Sequence, residues 1–278
     1  MIRNTTIYLL SLISYKLEYI LYRTSNPKCL TKKVEIMKLI IALFFGITFM
    51  MSGLMLLLQR VLNIDFGIII LPQLSPGISA FIMVKIFKSH KLNIVFLPGK
   101  IHFTYYLIAV GLPFFVSTVL YVLYSNLITP ISITVHDLQQ LGFMLFGILI
   151  GAFGEEIGWR GYLQKLLHHR MNGFMGSVIV GVLWALWHIW YYEYGVAYMG
   201  FFILSTISYS LVLARILYAT QYNVLLAFLF HGAVNIGFFP FREVINDLRL
   251  MGINSLLWLV IALAFYFWKS KKTHVESS

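Results

Sequence analysis

Residues 141–163 read LGFMLFGILIGAFGEEIGWRGYL. The first fourteen of them carry no charge, and then two glutamates and an arginine follow in six residues. An apolar run of this length matches the about 20 residues that a helix needs to cross a bilayer core. The same reading extends outward. Comparable runs lie at Leu39–Leu58, Phe66–Phe87, Phe103–Tyr124, Gly173–Tyr192, Met199–Ala219, Val224–Phe239 and Asn254–Trp268. The last two are the shortest. The expected fold is therefore all-α, a polytopic transmembrane helix bundle of about eight spans.

Composition agrees. Of 278 residues, 60% are hydrophobic and 11% charged, where soluble domains carry roughly 25% charged residues. Such a chain cannot cover a water-facing surface. A 17% aromatic content argues against disorder. Cys29 is the single cysteine, so neither an internal disulfide nor a cysteine-rich metal site is available.

The net charge of +11 would suit a nucleic-acid binder if the basic residues were clustered on a soluble face. They sort instead by side of the membrane. Counting alternate connections, all Lys and Arg but Arg60, Arg242 and Arg249 fall on one side. The positive-inside rule makes that side cytoplasmic and puts both termini there. The basic excess then meets anionic lipid headgroups at the cytoplasmic face, and no nucleic-acid partner is expected.

Three parts are expected on this basis. Residues 1–38 form a cytoplasmic or interfacial N-terminal segment, residues 39–268 the transmembrane bundle, and residues 269–278 a cytoplasmic basic tail. Within the first part, Ile7–Tyr22 is apolar but holds Lys16 and Glu18. It reads as an interfacial helix, with a ninth span as the other reading.

Most of the ten acidic residues lie between the spans. Glu155 and Glu156 do not, and ionisable groups inside a membrane helix cost about 2.5–3.5 kcal/mol each on insertion scales. Helix geometry divides their work. Glu156 and Arg160 are four apart and share a face, which makes them a structural ion pair. Glu155 points about 100° away and has no partner in its own helix, as a general base requires. Two further pairs with i,i+4 spacing occur in later spans, Trp184 with His188 and His231 with Asn235. A single histidine in such a span is more often hydrogen-bonded packing glue than a catalyst. The whole set, drawn from three spans, points to function.

At these residues a resemblance becomes specific. Glu155-Glu156-Ile-Gly-Trp-Arg160 is similar to the EExxxR motif of the CPBP intramembrane proteases. That family is also called Abi or CAAX prenyl protease type 2, and it includes the Ras-converting endopeptidases. Trp184-Ala-Leu-Trp-His188 resembles its FxxxH motif with Trp for Phe, a change expected to alter pocket shape rather than chemistry. His231-Gly-Ala-Val-Asn235 resembles its HxxxN motif. The motifs occupy 155–160, 184–188 and 231–235, in the family's order.

The resemblance implies an intramembrane endopeptidase that hydrolyses a peptide bond of a membrane-associated polypeptide, prenylated or otherwise lipophilic. Glu155 and His188 would hold and activate the water, and His231 and Asn235 would form the oxyanion hole. Glu156, Arg160 and Trp184 would support them. Cleavage would take place toward the cytoplasmic leaflet. The favoured mechanism uses no metal; the alternative is a zinc ion on Glu155, His188 and His231, three ligands with an open position. Two other functions fit the same residues. One is a proton-coupled transporter, for which the interruption of span two by Pro72 and Pro76-Gly77 is suggestive. The other is a non-catalytic bacteriocin-immunity or scaffolding protein on the same fold.

Overall fold

In the computed structural model, residues 27–87, 101–132 and 138–267 are described. Ile7–Tyr22, the bulk of the N-terminal segment and the basic tail lie outside them. Among the described residues the architecture is entirely helical. Its elements are α1 (Pro27–Val61), α2 (Ser75–Ile86), α3 (Phe103–Leu127), α4 (Leu138–Glu156), α5 (Lys165–His168), α6 (Gly173–Trp187), α7 (Val196–Ala219), α8 (Val224–Gly237) and α9 (Leu248–Phe267). Among the described residues, six apolar helical stretches are long enough to cross a membrane, and two shorter ones, Leu71–Ile86 and Gly173–Trp187, correspond to the other two of the eight runs read from the sequence. The protein is a multi-pass membrane protein.

Lipid-facing and interior positions separate cleanly. Leu57, Phe115 and Val260 are exposed on the outside of the bundle, whereas Phe44, Trp159, Phe230 and Trp258 are fully buried in its core. Helix α7 packs against α6, α8 and α9, and α8 also contacts α3 and α4. Asn172 and Asn223 start α6 and α8 by accepting hydrogen bonds from Phe174 N and Leu225 N, each at 2.9 Å, as N-cap asparagines do.

The boundaries differ from expectation in four places, each with a local cause. Helix α1 begins at Pro27 rather than Leu39, because a helix outruns its apolar run wherever lysine and glutamate continue it. Span two is not helical from Phe66. Its chain stays irregular to Ile70, passes through a 3₁₀ turn at Leu71–Leu74 and only then enters α2. Pro72 and Pro76 sit at the starts of those two pieces, where a missing N–H costs nothing. Buried Gln59 satisfies the irregular backbone: its Nε2 donates to Ile69 O at 2.7 Å and its Oε1 accepts from Leu71 N at 2.8 Å. Internal partners of this kind are what non-helical backbone at membrane depth requires. Span five stops at Trp187, and residues Ile189–Tyr194 form a 3₁₀ segment. The last span is not short: α9 begins at Leu248 and has 20 residues.

Span four holds the largest departure. After Glu156 it widens into a π-helix over Ile157–Gln164 and regains α geometry in α5. Runs of this kind are rare and concentrate at functional sites. Along the same span, Gly147, Gly151, Gly154 and Gly158 face residues 68–76. A Cβ on Gly154 would lie 2.8 Å from Leu74 Cα and 2.9 Å from Gln73 O, and one on Gly158 would overlap the main chain of Pro76. Small residues permit this backbone-on-backbone approach in membrane bundles. Gly158→Ala is therefore expected to cost about 1–3 kcal/mol by overpacking, read as a lower melting temperature of the purified protein in detergent. An unchanged melting temperature would show that the seam can yield.

Candidate active site

The glutamates are fully buried and face different partners. Glu155 Oε2 accepts a hydrogen bond from Trp184 Nε1 at 2.7 Å, and its Oε1 accepts one from Gln73 Nε2 at 3.1 Å. Glu156 Oε1 takes Arg160 at 2.9 Å and His231 Nδ1 at 2.8 Å. Arg160, also fully buried, lies with its guanidinium 4.2 Å from the centroid of the Trp184 ring. This cation–π contact ties the two halves of the cluster together.

His188 is the C-terminal cap of α6 rather than an interior helical residue. Its Nδ1 is 2.8 Å from Trp184 O. That bond makes Nδ1 the protonated nitrogen and leaves Nε2 as an acceptor. His231, engaged at Nδ1 by Glu156, likewise keeps Nε2 for the interior. Glu155, Trp184, His188, His231 and Asn235 all line one cavity of about 320 Å³. Among the described residues, the Asn235 amide makes no protein hydrogen bond, which leaves its N–H groups available to a guest.

Two features of the site are not legible in the motifs. The first is Gln73, which stands 82 positions from its partner carboxylate in sequence; the prolines flanking it mark the broken helix but not its target. The second is the hydrogen bond from Trp184. A phenylalanine at that position could pack but could not donate to Glu155, so the exchange bears on the carboxylate itself and not on pocket shape alone.

The structure bears on two further expectations. Among the described residues, no three His, Cys, Asp or Glu side chains are grouped so as to hold a metal ion. In the zinc alternative Glu155, His188 and His231 would hold the ion; here the carboxylate accepts from Gln73 and Trp184, and each histidine is anchored through Nδ1, so that Nε2 of each would be the ligating nitrogen. The second concerns depth. The sequence reading puts Glu155 toward the Lys- and Arg-bearing end of its span. It lies about midway along the Leu141–His168 span, and the rest of the cavity lining comes from the other end of the bundle. Residues 70–73 ahead of α2, the end of α6 and the residues following it, Phe202 and Tyr209 of α7, the end of α8, Ile245 and the start of α9 form its walls, with Ile148 and Glu155 of α4.

A buried polar column runs the other way from Glu156. Arg160 donates to Ser210 Oγ at 3.3 Å, Gln164 Nε2 to Ser210 O at 3.2 Å and to Ser177 Oγ at 3.3 Å. His168 then bridges Ser177 Oγ at 3.0 Å and Tyr222 OH at 2.8 Å. The π-helical register carries residues 156, 160, 164 and 168 down this one column.

Fold and site together define a polytopic helical membrane protein with a polar, carboxylate-bearing cavity between its spans. Residues 137–237, which carry all three motifs, match the family model of Rce1-like type II CAAX prenyl endopeptidases. This motif-bearing segment is Rce1-like, as the resemblance implied. Two similar curated proteins are lysostaphin resistance protein A of Staphylococcus epidermidis and of Staphylococcus aureus. The first is 28% identical over 236 residues, covering 82% of this chain and 61% of that protein. The second is 27% identical over 234 residues, covering 81% of this chain and 55% of that protein. The match thus spans less than two thirds of the length of either relative.

Proposed function

We propose that the protein is an intramembrane endopeptidase acting on a membrane-associated polypeptide. One observation carries this reading: a buried carboxylate, two imidazoles and a side-chain amide from three spans line a single cavity. Glu155 takes a proton from a water that His188 Nε2 helps to position. The resulting hydroxide attacks the scissile carbonyl, and His231 and Asn235 donate hydrogen bonds to the developing oxyanion. His231 can do so when its Nε2 carries a proton; with Nδ1–H donated to Glu156, that is the doubly protonated ring. Glu155 then returns its proton to the leaving amine. The mechanism asks nothing of a metal.

The test compares peptides released from membranes holding the wild-type protein and Glu155→Gln. Fragments present only with the wild type support the reading; identical peptide sets overturn it. Gln73 is assigned a positioning role on Glu155. Gln73→Leu removes one hydrogen bond to a charged group, about 1.5–3 kcal/mol, so kcat is expected to fall roughly 10- to 100-fold with KM unchanged. An unaltered kcat would remove Gln73 from the mechanism.

A second reading follows from the relatives' names: a resistance protein that protects without cleaving. It would keep its protective effect in Glu155→Gln. The transporter reading draws on the polar column below Glu156, but Arg160 interrupts that column. A guanidinium does not give up its proton in proteins, so it blocks a relay rather than carrying one.

A further inference from the structure

We infer that the catalytic cavity opens on the non-cytoplasmic face, and that its substrate is a polypeptide anchored in or lying against the outer leaflet. The inference rests on the endopeptidase reading for the substrate's class, but not for the side. Two independent observations meet in it.

The first is which helix ends build the cavity. Pro72 and Gln73 begin the span that contains α2, His188 and Tyr191 follow α6, Asn235 and Phe238 close α8, and Met251 and Asn254 belong to the first turns of α9. All of these ends lie on one side of the bundle. No residue from the opposite ends, around His168, Gly173, Ala219 or Asn223, contributes to the lining.

The second is charge. The connections on the cavity's side hold only Arg60, Arg242 and Arg249 as basic residues, against Asp65, Asp137, Glu193, Glu243 and Asp247 as acidic ones. The opposite side holds the remaining Lys and Arg. Orientation in the membrane follows the Lys and Arg bias of short connections, so the cavity's side is the one that does not face the cytoplasm.

The rim has the chemistry of an outer interface. Residues 189–194 read IWYYEY, and Ile189, Trp190 and Tyr192 are exposed, as is Val196 directly after them. Tryptophan and tyrosine concentrate at the headgroup level. A band of them at the mouth puts the cavity at the depth where a peptide anchored in the outer leaflet would emerge. A cytosol-facing prenylated C-terminus would meet the polar column and its plug of Arg160 instead.

Thiol labelling decides the side without requiring activity. Cys29→Ser gives a cysteine-free chain, because Cys29 is the single cysteine. Into it go Val196→Cys at the rim, Ile245→Cys and, separately, Trp190→Cys in the cavity wall, and His169→Cys at the other end. Intact cells are treated with a membrane-impermeant maleimide. The expected result is labelling of the Val196, Ile245 and Trp190 variants in intact cells, and of the His169 variant only after permeabilisation. The reverse pattern overturns the inference, as does a cavity thiol that reacts only in detergent. The Glu155-dependent fragments provide the substrate arm: they are expected in the medium, and fragments of cytosol-facing segments would overturn the outer-leaflet substrate. Absence of any such fragment would sink the endopeptidase reading, while the side on which the cavity opens would still be fixed by the labelling pattern.

Discussion

Glu155→Gln is expected to lower hydrolysis by about 10²- to 10⁴-fold, the range that a general base contributes, while the bundle stays folded. The two outcomes separate because the amide keeps the shape and the contacts of the carboxylate. Its oxygen can accept from Trp184 Nε1, and its nitrogen can donate to Gln73 Oε1 once that side-chain amide turns over. Only the capacity to take a proton from water is lost. The measurement is the initial rate on a released peptide, beside a thermal melt in detergent. A variant that cleaves at the wild-type rate would remove Glu155 from the chemistry, and a variant that does not fold would assign it a structural role.

Glu156→Ala should do the opposite, and act on the fold first. Glu156 and Arg160 are both fully shielded from solvent, and removing one partner of a buried ion pair costs about 3–5 kcal/mol because the other charge is stranded. His231 loses its Nδ1 partner in the same step. Little folded protein is expected, read as yield and melting temperature. Glu156→Gln provides the control: its carbonyl oxygen still accepts from Arg160, so folding should largely return. Wild-type stability of Glu156→Ala would mean that Arg160 is neutralised some other way.

The contrast between the two glutamates shows how much a sequence can expose. Adjacent positions on a helix must diverge by about 100°, and i,i+4 spacing assigns Arg160 to Glu156 before any coordinates are known. Span number is legible for a similar reason, since bilayer thickness turns into run length. The site's remaining parts depend on pairings distant in sequence. Nothing periodic links Gln73 to Glu155. The indole N–H of Trp184 is visible in the sequence, but its acceptor is not. The π-helical stretch changes the register of hydrogen bonds within a run whose hydrophobic pattern looks unbroken. The depth of the cavity is hidden because Lys165 and Arg170 mark the basic end of span four without marking how far along it the carboxylate sits.

The seam between span four and residues 68–76 has a consequence for how this protein can vary. At Gly147, Gly154 and Gly158 it is main chain that meets main chain, which has no rotamer to adjust, whereas at Gly151 the neighbour is the Gln73 side chain. The alignment of the Glu155 carboxylate with the amide of Gln73 thus rests on this close packing. Along this span the constraint falls on Gly147, Gly151, Gly154 and Gly158, which bring no chemistry of their own, while a bulky neighbour such as Phe146, exposed on the lipid side, is under no such limit.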